Sequence, residues 1–126
     1  MSLKDTMMSK KVWAVVGVSE NKEKWGYKLY KVLKDHGYKV YGVNPRLESL
    51  EGDKVYNSLK EIDDKIEVVD IVVNPKFAMD YVKEAKALGI ENLFFQPGSY
   101  DEELINEVEN LKINYVKDCV YATLCE

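Results

Sequence analysis

The sequence predicts an α/β fold: a doubly wound parallel sheet of five to six strands, with helices on both faces. Three observations carry this prediction. Blocks of strand-like and helix-like periodicity alternate about five times, the connections between them are short, and several strand-like blocks are continuously apolar instead of alternating. A strand buried on both faces needs a layer on each side of its sheet, and crossover helices between parallel strands supply those layers.

The elements follow in order. Residues 1–10 are read as a flexible N-terminal segment, leaving residues 11–126 as the folded domain. Val12-Trp13-Ala14-Val15-Val16 is a continuous apolar run closed by Gly17, as a doubly buried strand requires. A polar loop, Ser19 to Lys24, leads into a helical block through about Asp35. There Leu29, Val32, Leu33 and His36 keep the three-four spacing of one helix face, and Gly37 takes the place of a left-handed C-cap. Tyr38 to Val43 is the second strand, stopped by Asn44-Pro45. Val55-Tyr56 reads as a very short edge strand, and Ser58-Leu59-Lys60-Glu61 has capping-box spacing for a short helix.

Val68 to Val73 reads as another apolar strand, stopped by Asn74-Pro75. The following helix sets Phe77, Ala78, Tyr81, Val82, Ala85 and Leu88 on one side and ends at Gly89. Asn92 to Phe95 is a strand stopped by Gln96-Pro97-Gly98. Ser99 and Glu102 are spaced to box the next helix, whose inward residues are Leu104, Ile105, Val108 and Leu111. Tyr115-Val116 begins the last strand, ahead of a short tail from Asp118. Right-handed crossovers leave few topologies, and the order 3-2-1-4-5-6 is the expected one for this Rossmann-like pattern.

Composition agrees with one ordinary globular domain: 126 residues, 46% hydrophobic and 32% charged. A net charge of −4 and a pI near 5.1 argue against nucleic acid or an anionic membrane as partner. The longest apolar run is far shorter than the roughly 20 residues that span a bilayer. Two cysteines, Cys119 and Cys125, make no disulfide framework, so the chain reads as a soluble cytoplasmic protein. Charge is uneven along it. Residues 1–60 hold twelve basic and seven acidic side chains, residues 61–126 six and fifteen, so an anion site belongs to the first half.

In such sheets ligands bind beyond the carboxyl ends of the strands, where strand order reverses. Four predicted strand ends carry glycine, proline or amide residues: Gly17, Asn44-Pro45-Arg46, Asn74-Pro75 and Gln96-Pro97-Gly98. Plain turn chemistry explains any one of them. In the first loop Gly17 permits close ligand approach, and the helix start after it attracts phosphate, helped by Ser19, Lys22 and Lys24. The interleaved Glu20 and Glu23 give those lysines a solvated-face reading as well. The loop lacks Gly-x-Gly-x-x-Gly, and the second strand does not end in the acid that grips the ribose of NAD. No Gly-x4-Gly-Lys-Ser/Thr occurs, which excludes a P-loop hydrolase. Arg46 suits a ribose phosphate, as in NADP or coenzyme A.

Val15-Val16-Gly17-Val18-Ser19, Trp25-Gly26-Tyr27, Gly37-Tyr38-Lys39-Val40, Val43-Asn44-Pro45 and Val55-Tyr56-Asn57-Ser58-Leu59 occur in the order seen in small stand-alone CoA-binding domain proteins. These are similar to the CoA-binding domain of succinyl-CoA synthetase alpha subunits. The resemblance continues through Val69 to Pro75 and Gln96-Pro97-Gly98 to Asp118-Cys119, nearly the whole chain. It implies a Rossmann-like fold that binds coenzyme A or an acyl-CoA at the carboxyl edge. By position, Gly17, Val18 and Ser19 would line the phosphates, with Lys24, Gly26 and Tyr27 at the helix start. Asn44, Pro45 and Arg46 would lie by the adenosine end, Asn74-Pro75 would form the opposite wall, and Gln96, Pro97 and Gly98 would face the pantetheine route. The first loop departs from the family in having Asn21 and Lys22 where a proline is frequent. The synthetase's phosphohistidine has no counterpart either, since the single histidine, His36, falls on the first helix.

Other candidates have quieter readings. His36 before Gly37 suits a dipole-favoured cap. Asp63-Asp64 point apart in a loop, and Asp101, Glu102 and Glu103 fit the acidic first turn of a helix, so no metal site is expected. Cys119 lies just past a strand end at the ligand edge and is the one nucleophile candidate, a redox thiol or an inert one. Trp13, Phe94 and Phe95 read as core, whereas Trp25 either stacks on an adenine or packs. The sequence thus predicts a non-catalytic carrier or sensor module for coenzyme A or a short acyl-CoA. The alternatives are an NADP- or other nucleotide-using enzyme, and a regulatory domain that docks on a protein partner with its crevice empty.

Overall fold

Double burial fixes the middle of the sheet. The central strand β1 (Val12–Val16) pairs in parallel with β2 (Lys39–Val43) on one side and β5 (Val68–Ile71) on the other. In this computed structural model, which describes residues 2–125, β4 (Asp53–Tyr56) continues outward from β2, and β6 (Asn92–Phe95) and β7 (Asn114–Lys117) continue from β5, all parallel. A two-residue strand, β3 (Ser49–Leu50), pairs antiparallel with β4, giving the order β3-β4-β2-β1-β5-β6-β7. Without β3 this is the predicted 3-2-1-4-5-6. The extra strand arises from a tight hairpin in which Glu51 and Gly52 both take positive φ, 50° and 84°.

Alternate side chains of β1 enter different cores. Trp13 and Val15 face α2 (Trp25–Asp35), and Ala14 and Val16 face α3 (Pro75–Ala87) and α4 (Glu102–Asn110). Gly37, with φ 85°, ends α2 as predicted, and His36 Nδ1 lies 2.8 Å from the Val32 carbonyl, a capping contact. His36 is exposed, however, and does not share the inward face with Leu29 and Leu33. On α3, Phe77 and Leu88 likewise turn outward, at 56% and 47% exposure.

Several expectations are corrected. The segment set aside as flexible contains α1 (Leu3–Met8), whose Met7 is fully buried. Trp13 Nε1 donates to the Lys10 carbonyl at 3.0 Å and Tyr38 Oη to that of Met8 at 2.6 Å, and Lys4 pairs with Asp118 at 2.8 Å. One buried methionine leaves no periodicity to read. Ser58 does not cap: residues Leu59–Glu61 form a single 3-10 turn, whose Leu59 amide is instead bound at 3.0 Å by the Glu84 carboxylate of α3. Asp101, not Ser99, caps α4 through Leu104 N at 2.8 Å. The tail beyond Asp118 forms a further short helix, α5 (Val120–Leu124). Among the described residues no helix is long and apolar enough to cross a membrane.

Candidate functional site

A cavity of about 380 Å³ opens at the carboxyl edge of β5 and β6. Its floor is the turn after β5, Val72, Val73 and Asn74, and one wall is Gln96-Pro97-Gly98 after β6. Cys119, between β7 and α5, and Trp25, opening α2, complete it. The lining mixes an indole and two valines with two amides and a thiol, so apolar surface lies beside polar groups able to orient a ligand.

Each wall is held for a physical reason. Asn74 caps α3, accepting Lys76 N on Oδ1 at 3.0 Å, with Pro75 at the first helical position where no amide hydrogen is missed. Gln96 N donates to Ile71 O at 3.2 Å, which carries β6 one step past its partner strand. Trp25 is 50% exposed, edge-on to Tyr121 of α5 with ring centroids 5.6 Å apart, and Lys28 Nζ lies 4.9 Å from its ring centre.

Beside this cavity lies the loop from Gly17 to Lys24. Gly17 has φ 101°, and a Cβ there would stand 2.8 Å from Val73 Cγ1. Gly26 is more tightly constrained: its Cβ would fall 2.1 Å from the Gly17 carbonyl oxygen, so the first turn of α2 rests directly on the loop. Val18 is fully buried and packs against Gly42 of β2. Only its backbone is available to a phosphate, and its carbonyl already accepts Asn44 Nδ2 at 2.8 Å. Asn44 Oδ1 accepts Arg46 N, also at 2.8 Å, so this amide uses both ends to tie the loop to the end of β2. Ser19 Oγ accepts Asn21 N at 3.0 Å. The N-cap of α2 is Lys24, which gives no side-chain acceptor; Tyr27 N turns back to the Lys24 carbonyl at 3.1 Å, and among the described residues the Trp25 and Gly26 amides are left for an anion. Lys22, Lys24 and Arg46 are exposed and form no ion pair among the described residues.

Six of the residues singled out in the sequence therefore meet around one cavity: Trp25, Asn74, Gln96, Pro97, Gly98 and Cys119. Gly17, Ser19, Lys22, Lys24, Gly26, Arg46 and their neighbours belong to the loops beside it. Tyr27 turns to the β3–β4 hairpin, donating its hydroxyl to Glu51 Oε1 at 2.8 Å, a bond that raises its pKa. Asp64 binds Tyr41 Oη at 2.6 Å and Lys39 Nζ at 2.8 Å, which hold its carboxyl down to about 2 and assign it to the scaffold.

Val72 and Val73 of the lining carry no turn or polar signal in the sequence, and Asp70 interrupts the otherwise apolar run from Val68 to Val73. Asp70 is fully buried, and burial pushes its pKa up to about 7 against a single opposing hydrogen bond, from Gln96 Nε2 to Oδ1 at 2.8 Å. Its other oxygen, Oδ2, has no hydrogen-bond partner among the described residues.

Residues 11–124 match the family described as CoA binding domain. The alpha subunit of ADP-forming acetate–CoA ligase II from Pyrococcus furiosus is 37% identical over 90 residues, 71% of this chain and 20% of that protein. The ADP-forming acetate–CoA ligase of Methanocaldococcus jannaschii is 30% identical over 108 residues, 81% of this chain and 15% of that one. The chain thus spans about a fifth or less of these relatives. A solved hypothetical protein from Pyrococcus horikoshii superposes with a TM-score of 0.88 at 35% identity, covering 96% of this chain and 85% of its own. A conserved hypothetical protein from Pyrococcus furiosus gives 0.85 at 34%, with 90% and 99% covered.

Proposed function

We propose, because this chain belongs to the CoA binding domain family, that it binds coenzyme A or a short acyl-CoA at the carboxyl edge as a non-catalytic carrier or sensor module. The observation that carries this reading is the cavity between Trp25, the β5–α3 turn and Gln96-Pro97-Gly98. Its 380 Å³ is at the small end for ligand sites and suits the pantetheine arm with its acyl group, not the whole cofactor. The phosphates and adenosine then extend over the adjoining loop, toward the Trp25 and Gly26 amides of α2 and the cations Lys22, Lys24 and Arg46. Among the described residues those three charges carry no ion pair that an anion would have to break. The lining includes one thiol, Cys119, and no carboxylate, imidazole or amine, which favours holding a thioester over transforming it.

Thermal unfolding with CoA, acetyl-CoA, dephospho-CoA, NAD, NADP and ATP tests this. A ligand of the folded state at a hundredfold excess over its Kd adds about 2.7 kcal/mol. A rise in Tm with CoA and its thioesters alone is expected, together with protection of Cys119, but not of the exposed Cys125, from alkylation. No shift with any ligand at millimolar concentration would refute the reading and favour a domain that docks on a protein partner.

A further inference from the structure

Asp70 stands in β5 between Val15 of β1 and Phe94 of β6, its ladder neighbours on either side. A fully buried carboxyl with one hydrogen bond is an expensive thing to keep in a central strand, where an apolar residue would be more stable. What it holds is Gln96, which is 4% exposed, lies against the cavity and donates Nε2–H to Asp70 Oδ1. A primary amide has a donor end and an acceptor end of nearly the same shape, so its orientation is set by its partners. An ionised carboxylate only accepts, whereas a neutral one accepts at its carbonyl oxygen and also donates through its O–H, so it is the ionised form that admits a single amide orientation. In the structure Gln96 turns Nε2 inward to Asp70 Oδ1 and Oε1 away from it, and no donor among the described residues reaches Oε1.

We propose that Asp70 is a positioning residue that locks the Gln96 amide, so that the cavity presents Oε1 as a hydrogen-bond acceptor to an N–H or O–H group of the ligand. This rests on the CoA reading, in which that donor is an amide or hydroxyl of the pantetheine arm. A ligand with a carbonyl at the same depth would meet oxygen against oxygen, so the lock is also a means of selection.

The test compares wild type with Asp70→Val, which can neither accept from Nε2 nor donate to Oε1. Side-chain amide exchange followed by NMR on the ligand-free proteins reads the lock itself. Wild type should show one slowly exchanging Gln96 Nε2 proton, and Asp70→Val should lose it. In calorimetric titrations CoA should bind Asp70→Val about five- to tenfold more weakly, the loss of one neutral hydrogen bond. If Asp70→Val fails to fold, Gln96→Met removes the acceptor at similar volume and must show the same loss. Equal exchange in wild type and Asp70→Val, or undiminished CoA affinity once the acceptor is gone, would overturn the proposal. If wild type does not bind CoA, it is the CoA reading that fails, and the exchange comparison still decides whether Asp70 fixes Gln96.

Discussion

Replacing Gly26 with alanine puts one methyl group where the fold has no room. The new Cβ would lie 2.1 Å from the Gly17 carbonyl oxygen and 3.1 Å from Ser19 N, whereas real Cβ contacts stay beyond 3.0 Å. Both neighbours are backbone, so no side chain can swing aside, and the start of α2 must move off the loop by about 1 Å. Overpacking of this kind costs about 1–3 kcal/mol, and backbone against backbone belongs at the upper end. Alanine's better helix propensity returns about 1 kcal/mol at most. A net loss of about 2 kcal/mol lowers Tm by about 6–10 °C in a domain of this size. The same displacement opens the angle between Trp25 and the Gly17 loop, so CoA affinity should fall more than tenfold. Gly37→Ala is the control. With φ 85° it is strained by about 1–2 kcal/mol, but its Cβ meets nothing within 4 Å and it lies away from the cavity. It should lose stability and keep affinity. Melting curves and CoA titrations on both variants decide the matter. A Gly26→Ala protein within about 2 °C of wild type that binds CoA normally would show that the loop and helix are not locked together as described.

Two further outcomes follow from single charged groups. If Arg46 meets the ribose phosphate of CoA, Arg46→Ala weakens CoA by about 1.5–3 kcal/mol, the range for a charged hydrogen bond, and leaves dephospho-CoA unchanged; equal losses for both ligands in calorimetry would remove that role. Asp70 gives the fold a pH dependence opposite to that of an ion-paired carboxylate. Its folded pKa of about 7 lies above its unfolded value of 3.8, so the folded state binds the extra proton between the two. Its contribution is complete below pH 4 and is lost as pH rises through 7. Wild type should therefore lose on the order of 3 kcal/mol relative to Asp70→Asn between pH 4.5 and 8, with no further change above that. Denaturant curves at intervals of one pH unit measure the difference, and a flat difference would mean that Asp70 titrates normally.

The order of the sheet was legible because it rests on burial, which repeats along the chain. Val12–Val16 and Asn92–Phe95 are apolar on both faces, and each is closed by a glycine or proline turn. What escaped depends on contacts between distant residues. The 3-10 turn after Ser58 is fastened by Glu84, 25 positions from Leu59, and no local spacing reports that bond. The helix at Leu3–Met8 is anchored by Trp13 and Tyr38, side chains whose polar ends gave no sign of reaching back to residues 8 and 10. Phe77 and Leu88 kept helical spacing yet lie outside, since a face about 100° wide does not reach the residues at its margins.

The site was legible to the extent that its residues end strands. Two Asn-Pro pairs looked alike in the sequence, but the fold gives them different work. Asn44 uses both ends of its amide, on Val18 O and Arg46 N, and so braces the first loop, whereas Asn74 caps α3 with its oxygen and faces the cavity. Identical dipeptides cannot reveal this, because the difference lies in what the next strand brings alongside. Asp70 was hidden for a related reason. Five apolar neighbours in Val68–Val73 made it look like an incidental polar residue in a buried strand. Its meaning depends on Gln96, 26 residues later, arriving on the same face of the adjacent strand. A lone acid in an apolar run is costly enough that a partner has to be sought, and in a parallel sheet the places to seek it are the two neighbouring strand ends. Of those, Gly17 after β1 has no side chain, and Gln96 after β6 is an amide able to donate.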